Sequence, residues 1–300
     1  LQMVRLNTDV NFCRSMSWAG ATGNPVFLGG RSVSLNVFGS LELINAMDYR
    51  FDGTVVFTGE TDNNVDFRGN TAGYVLEFTG TGAWSLTGDV AVDSILLFNE
   101  GTLRTSGRAV TTKYLRSDGN ATRTLELGAS NITITANTWR PHPNSYPTFN
   151  SQPLWIDARN LTLDAGTSTI NLTGSQVDVF LEGPGSIAFN EVVFSAVAGA
   201  STIRHWTDQN GFEPTVSFTR LNLLNRTLLE GSFTIDELEL HGGQQYRFQS
   251  GETFTLGNLI ANGDCQGTVD LSGTAAANPA IFSAAGPITA DYTSLRAISA

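Results

Sequence analysis

Alternation of apolar and polar residues, broken by a glycine corner and then resumed, is the feature that most constrains this chain. In residues 160–174 (NLTLDAGTSTINLTG), Leu161 and Leu163 stand two apart, a corner containing Gly166 follows, and Ile170 and Leu172 stand two apart again. Successive side chains on a strand point to opposite faces, so such a run puts one face in a core and the other in water. Comparable runs occur at 33–44, 54–59, 74–80, 124–128, 131–135, 215–224 and 233–240. The same unit of apolar-x-apolar and a glycine corner returns at Tyr49, Phe51 and Gly53, at Leu96, Phe98 and Gly101, and at Tyr246, Phe248 and Gly251. Helical periodicity is scarce.

The spacing between copies is irregular, which argues against a propeller with its blade period of ~40–45 residues. A sandwich would end most strands in two-residue hairpin turns, and Asn-Gly followed by a return strand is rare here. Short strands separated by single corners fit a parallel β-solenoid, in which each coil stacks on the last and like residues pile into ladders. The expectation is all-β, with roughly 20–25 residues per coil and about a dozen coils, in one β-helical segment spanning 1–300.

Composition agrees with strands and turns. Charged residues make up 15% of the chain, against the ~25% usual for globular domains, and there are 31 glycines. The net charge is −11 and Lys113 is the only lysine. Such a surface repels phosphate backbones and anionic lipid, so nucleic acid is not an expected partner. No apolar run approaches the ~18 residues of a membrane span, so membrane insertion is not expected. The two cysteines, Cys13 and Cys265, are too few for a disulfide scaffold. Coils of one solenoid rise ~4.8 Å each, which places these two far beyond the ~7 Å that a disulfide allows. They are expected to be unbonded to each other. No secretory signal is visible in the residues from Leu1, and the chain stops abruptly at LRAISA. It reads as a fragment of something longer.

Two segments break the rhythm. Residues 139–155 hold four of the nine prolines and four aromatics, a composition unsuited to regular strand. Residues 204–214 (RHWTDQNGFEP) form the second. Both are read as loops protruding from the solenoid wall.

Several ordered motifs carry a resemblance. WSLTGDVAVDSILLFNEGTLRTSG (84–107), RTLELGASNITIT (123–135), NLTLDAGTSTINLTG and FQSGETFTL (248–256) look like segments of the giant β-helical surface adhesins of gliding bacteria. CRSMSWAGATGNPVF (13–27) is similar to the opening part of such modules, and residues 264–300 are similar to their closing part. The resemblance implies a right-handed β-helix and a secreted, extracellular protein of the bacterial cell surface. It further implies export by type IX secretion and a part in gliding motility. The partners it implies are flanking domains of the same long protein, the secretion or motility machinery, and surface glycans. In this family Asp-Ser/Thr-apolar motifs can carry O-linked sugar, and Asp93-Ser94-Ile95 matches once.

His205, Asp208 and Glu213 lie near Arg204 and Trp206 and have the composition of an acid/base cluster, but β-helical lyases and hydrolases assemble such sets from adjacent coils, and the acidic residues here look scattered. No catalytic residue and no cofactor are assigned. Asp62, Asn64 and Asp66 offer oxygen donors at alternating positions, which makes them calcium candidates without an EF-hand pattern. Trp139, Tyr146, Trp155 and Trp206 are the ligand candidates, since flat aromatic rings stack on the apolar face of a sugar. The aromatics of 139–155 equally fit a loop that folds back and holds itself. The functional expectation is a non-catalytic, rod-like adhesin segment acting as stalk or contact surface. The alternative is a polysaccharide-degrading or carbohydrate-binding β-helix.

Overall fold

A computed structural model describes residues 3–138, 152–207, 210–265 and 267–299. The chain is a parallel β-helix: the described elements are all β-strands, and successive coils pair in parallel. It resolves into two compact units, Leu1–Thr133 with Asn160–Ser168, and Ile134–Arg159 with Thr169–Ala300.

In the first unit a coil crosses a first wall, a corner and a second wall. First-wall strands are Val10–Cys13, Ser34–Val37, Thr54–Phe57, Val75–Phe78, Ile95–Phe98 and Tyr114–Ser117. Their aligned residues Val10, Ser34, Thr54, Val75, Ile95 and Tyr114 give coils of 24, 20, 21, 20 and 19 residues. The second wall includes Asp62–Asp66, Ala83–Leu86, Gly101–Arg104, Arg123–Glu126 and Leu161–Asp164. In the second unit, the first-wall column Leu154, Val179, Ile203, Leu229, Phe248 and Gly273 gives coils of 25, 24, 26, 19 and 25 residues. These values bracket the length expected from sequence.

The second unit differs in what faces the first wall. Ser186–Phe194, Thr215–Leu223, Phe233–His241 and Thr253–Asn262 are strands of nine or ten residues. Their ladder skips Asn190, Thr219, Asp236 and Gly257, so each strand bends at the same rung. A Cβ on Gly257 would stand 2.5 Å from the Asp236 carbonyl oxygen, so only glycine lets the two bends approach.

Alternation sorts residues as the pattern requires. Thr54–Phe57, Val75–Phe78 and Ile95–Phe98 all bury their second and fourth residues and expose the others in part. The buried set forms columns: Leu35, Val55, Leu76, Leu96 and Leu115 in the first unit, and Ile187, Val216, Phe233, Phe254 and Phe282 in the second. Burial at ~25 cal/mol per Å² of apolar surface is the main stabilising term in such a tube. Some polar groups inside are satisfied by one another. Asn225, fully buried, donates to Ser201 Oγ at 3.0 Å and accepts from Thr227 Oγ1 at 3.0 Å. Outside, charge bridges coils: Arg220 meets Glu191 at 3.3 Å, Glu237 at 3.1 Å and Glu239 at 2.6 Å.

The structure corrects both loop boundaries. Leu154 and Trp155 belong to the strand Leu154–Asp157, and Arg204, His205 and Trp206 to the strand Ala200–Trp206. In Leu154–Asp157 all four residues are buried, and in Ala200–Trp206 the last three are charged, polar or aromatic, so the period-2 signal is masked although the backbone keeps its ladder. The rest of the Pro-rich segment, residues 139–151, lies outside the described residues. Cys13 and Cys265 are both free thiols.

Candidate functional site

The strand Ala200–Trp206 does not alternate: Ser201, Thr202 and Ile203 are buried in succession. Ile203 is fully buried, and Arg204 and Trp206 emerge on either side of His205. The wall then turns a corner before the bent strands begin. In three successive coils this corner lies between the strands that end at Trp206, Glu230 and Phe248 and those that begin at Thr215, Phe233 and Thr253. Among the described residues a cleft of about 370 Å³ there is lined by Arg204, Trp206, Glu213, Glu230, Gln249 and Glu252, together with His205, Thr207 and Gly231.

Each polar side chain has a defined tie. Arg204 is ion-paired with Glu230, its register partner in the next coil, and its guanidinium carbon lies 5.3 Å from the centre of the Phe180 ring. Thr207 Oγ1 donates to Glu213 Oε1 at 2.6 Å. Ser232 Oγ donates to Glu252 Oε2 at 2.7 Å. These bonds engage one oxygen of each carboxylate, and both residues line the cleft.

His205 packs edge-on against Phe233, with ring centres 4.2 Å apart. A Cβ on Gly231 (φ +110°) would lie 2.6 Å from this ring, so the missing side chain makes room for the imidazole. Its Nε2 is enclosed without a hydrogen-bond partner. Burial pushes its pKa down to about 4 from 6.5, against the smaller opposing pull of Glu213, so His205 is neutral at pH 7. Below pH 6.5 the unfolded chain takes up a proton that the folded chain refuses until about pH 4. Stability is therefore lost as pH falls through that window, with a slope approaching ~1.4 kcal/mol per pH unit. Chemical denaturation at a series of pH values should show this slope, and His205→Phe should flatten it.

Two of the four ligand candidates are brought together. Trp155 and Trp206 flank Phe180, with ring-centre distances of 5.8 and 5.9 Å. Trp155 and Phe180 are buried, and Trp155 Nε1 donates to Glu182 Oε1 at 2.8 Å. Trp206, 37% exposed, is the ring of this strip that reaches solvent. Trp139 and Tyr146 lie outside the described residues, as does Asp208. Glu213 and His205 do line one cleft, as their nearness in sequence indicates. Glu230, Gln249 and Glu252 join them from the two following coils. Sequence reading missed these three because residues 17 to 47 positions away meet only once the coil length is known.

Asp62, Asn64 and Asp66 are not brought to a point. They follow one another along an extended strand, where residues four apart are separated by ~13 Å, and two carboxylates that far apart do not share an ion at 2.3–2.6 Å. Asp66 is buried and paired with Arg68 at 2.9 Å, while Asp62 faces Arg104 at 3.9 Å. Among the described residues no group of three His, Cys, Asp or Glu is placed to hold a metal. Ser94 of the Asp-Ser-Ile motif is 6% exposed, which closes its hydroxyl to a glycosylating enzyme in the folded state. A second cleft of about 270 Å³ is lined by Thr138, Asp178, Thr202, Arg226, Arg247 and neighbours. Compared with known proteins, the chain matches no family model, no curated protein and no solved structure.

Proposed function

We propose that this chain is a non-catalytic β-helical segment of a secreted bacterial cell-surface adhesin, acting as stalk or contact surface. Type IX export and gliding motility are the setting, and flanking domains of a longer protein and the export or motility machinery are its partners. The observation that carries this reading is the in-register stacking within each unit. Among the described residues successive coils pair over several rungs, and Arg220 ties side chains from three coils together. A stack in which each coil is held by its neighbours supplies length and stiffness, which is what a spacer requires.

One observation favours the alternative of a polysaccharide-degrading protein: three carboxylates and a histidine line a single cleft. Retaining and inverting glycosidases work with pairs of carboxylates. Incubation with a panel of neutral, amino and uronic polysaccharides separates the readings. The expected result is no new reducing ends and no unsaturated uronate; release of either overturns the non-catalytic reading. For location, antibody to this segment should label intact cells, and labelling only after permeabilisation would overturn the surface assignment.

A further inference from the structure

The corner cleft at Trp206 has a specific chemical bias. Among the described residues its lining carries Glu213, Glu230 and Glu252 against Arg204, a net of two negative charges with His205 neutral. Arg204 is already matched to Glu230. Phosphate, sulfate and uronate would enter against that field, in a chain of net charge −11. The unused carboxylate oxygens of Glu213 and Glu252 are acceptors only, so they select a ligand that donates hydrogen bonds. Gln249 supplies an amide that both donates and accepts. Beside these groups stands Trp206, whose position is fixed by Phe180 at 5.9 Å while part of its ring faces solvent. An aromatic face next to acceptor oxygens suits a pyranose ring: the apolar C–H face lies on the indole, and the substituents at the rim donate to carboxylate. A positive substituent gains twice, from the carboxylates and from the ring quadrupole.

We propose that this cleft binds a saccharide bearing unacetylated hexosamine, with Trp206 as the stacking platform and Glu213 and Glu252 as the acceptors for its ammonium group. Two parts of the geometry favour binding of a chain end or a short stretch over a long polymer groove. The cleft is confined to three coils, and its volume of about 370 Å³ matches the lower range of small-molecule sites. His205 lines the cleft without competing for the ligand as a charge. The inference rests on the non-catalytic reading given above. Were the cleft a reaction centre, the same oligosaccharide would be bound and then cut.

The test is titration calorimetry of the whole chain with a glucosamine hexamer, its N-acetylated counterpart and a galacturonate hexamer, in mildly acidic low-salt buffer. Glucosamine hexamer should bind saturably at one site. The acetylated and uronate hexamers should bind at least about tenfold more weakly. Trp206→Ala should weaken glucosamine binding about tenfold. The double variant Glu213→Gln, Glu252→Gln should weaken it by a similar factor and remove the preference over the acetylated hexamer, while both amides still accept from Thr207 and Ser232. These substitutions lie on the surface, and unchanged melting of each variant shows that a loss is local. Equal binding of all three sugars, a preference for uronate, or indifference to both variants would overturn the proposal. Chromatography of the recovered hexamer distinguishes the two failures: an intact sugar that does not bind refutes the cleft assignment alone, and shortened products refute the non-catalytic reading.

Discussion

Phe78→Ala is expected to lower the stability of the first unit by about 3–5 kcal/mol, the range for a large aromatic removed from a closed core. Phe78 is fully buried. It stacks on Phe57 at 5.1 Å with 12° between ring planes and meets Trp84 at 5.6 Å. Its register partners, Phe57 and Phe98, are also fully buried. A helix next to a cavity can slide inward, but a β-helical coil is held at fixed spacing by hydrogen bonds to the coils on both sides. The hole therefore stays open, and the neighbouring rings lose their contacts outright. Urea unfolding should show a lower midpoint with an unchanged slope. Glu77→Ala, one residue away on the outer face, is the control: its side chain accepts one hydrogen bond from Asn99 at 3.0 Å, and a change below about 1 kcal/mol is expected. Equal effects at 77 and 78 would contradict the inside-outside assignment of this wall.

Tyr246→Phe is expected to cost about 2–3 kcal/mol, although only one oxygen is removed. The side chain is fully buried. Its hydroxyl donates to the Leu223 carbonyl at 2.7 Å, lies 3.2 Å from the His241 carbonyl, and accepts from the His241 N–H at 2.9 Å. It thus ties together three successive coils at one end of the bent strands. Phenylalanine fills the same space but leaves a main-chain N–H and a carbonyl without a partner away from water, and each such group costs ~1–3 kcal/mol. Burial also raises the phenol pKa well above its ordinary value, so the hydroxyl keeps its proton through alkaline conditions. Thermal unfolding of the variant at neutral pH measures the loss. A midpoint within about a degree of the parent would show that the bonds contribute nothing net.

The walls were legible in sequence because burial and exposure alternate with period two on most strands. Thr54–Phe57 and Val75–Phe78 can be read directly, and their partners follow from one coil length. The strand Leu154–Asp157 was not legible. All four of its residues are buried, so both faces carry apolar or paired side chains and the alternation disappears. The strand Ala200–Trp206 failed differently: Arg204, His205 and Trp206 look like loop, yet they continue the ladder of Phe180, Leu181 and Glu182. The cleft was half legible. His205 and Glu213 are close in sequence, but Glu230, Gln249 and Glu252 reach it only through register. Register depends on corner lengths, which differ from coil to coil and leave no periodic trace in the chain.

That freedom of the corners has a consequence for how such a protein can change. One residue added inside a strand turns every later side chain of that strand inside out. The same residue added at a corner alters only what meets the solvent. The three corners around the cleft already span two, four and eight residues on one unaltered ladder. New recognition properties are therefore open to trial by insertion and deletion at the bends, with no need to renegotiate the interior.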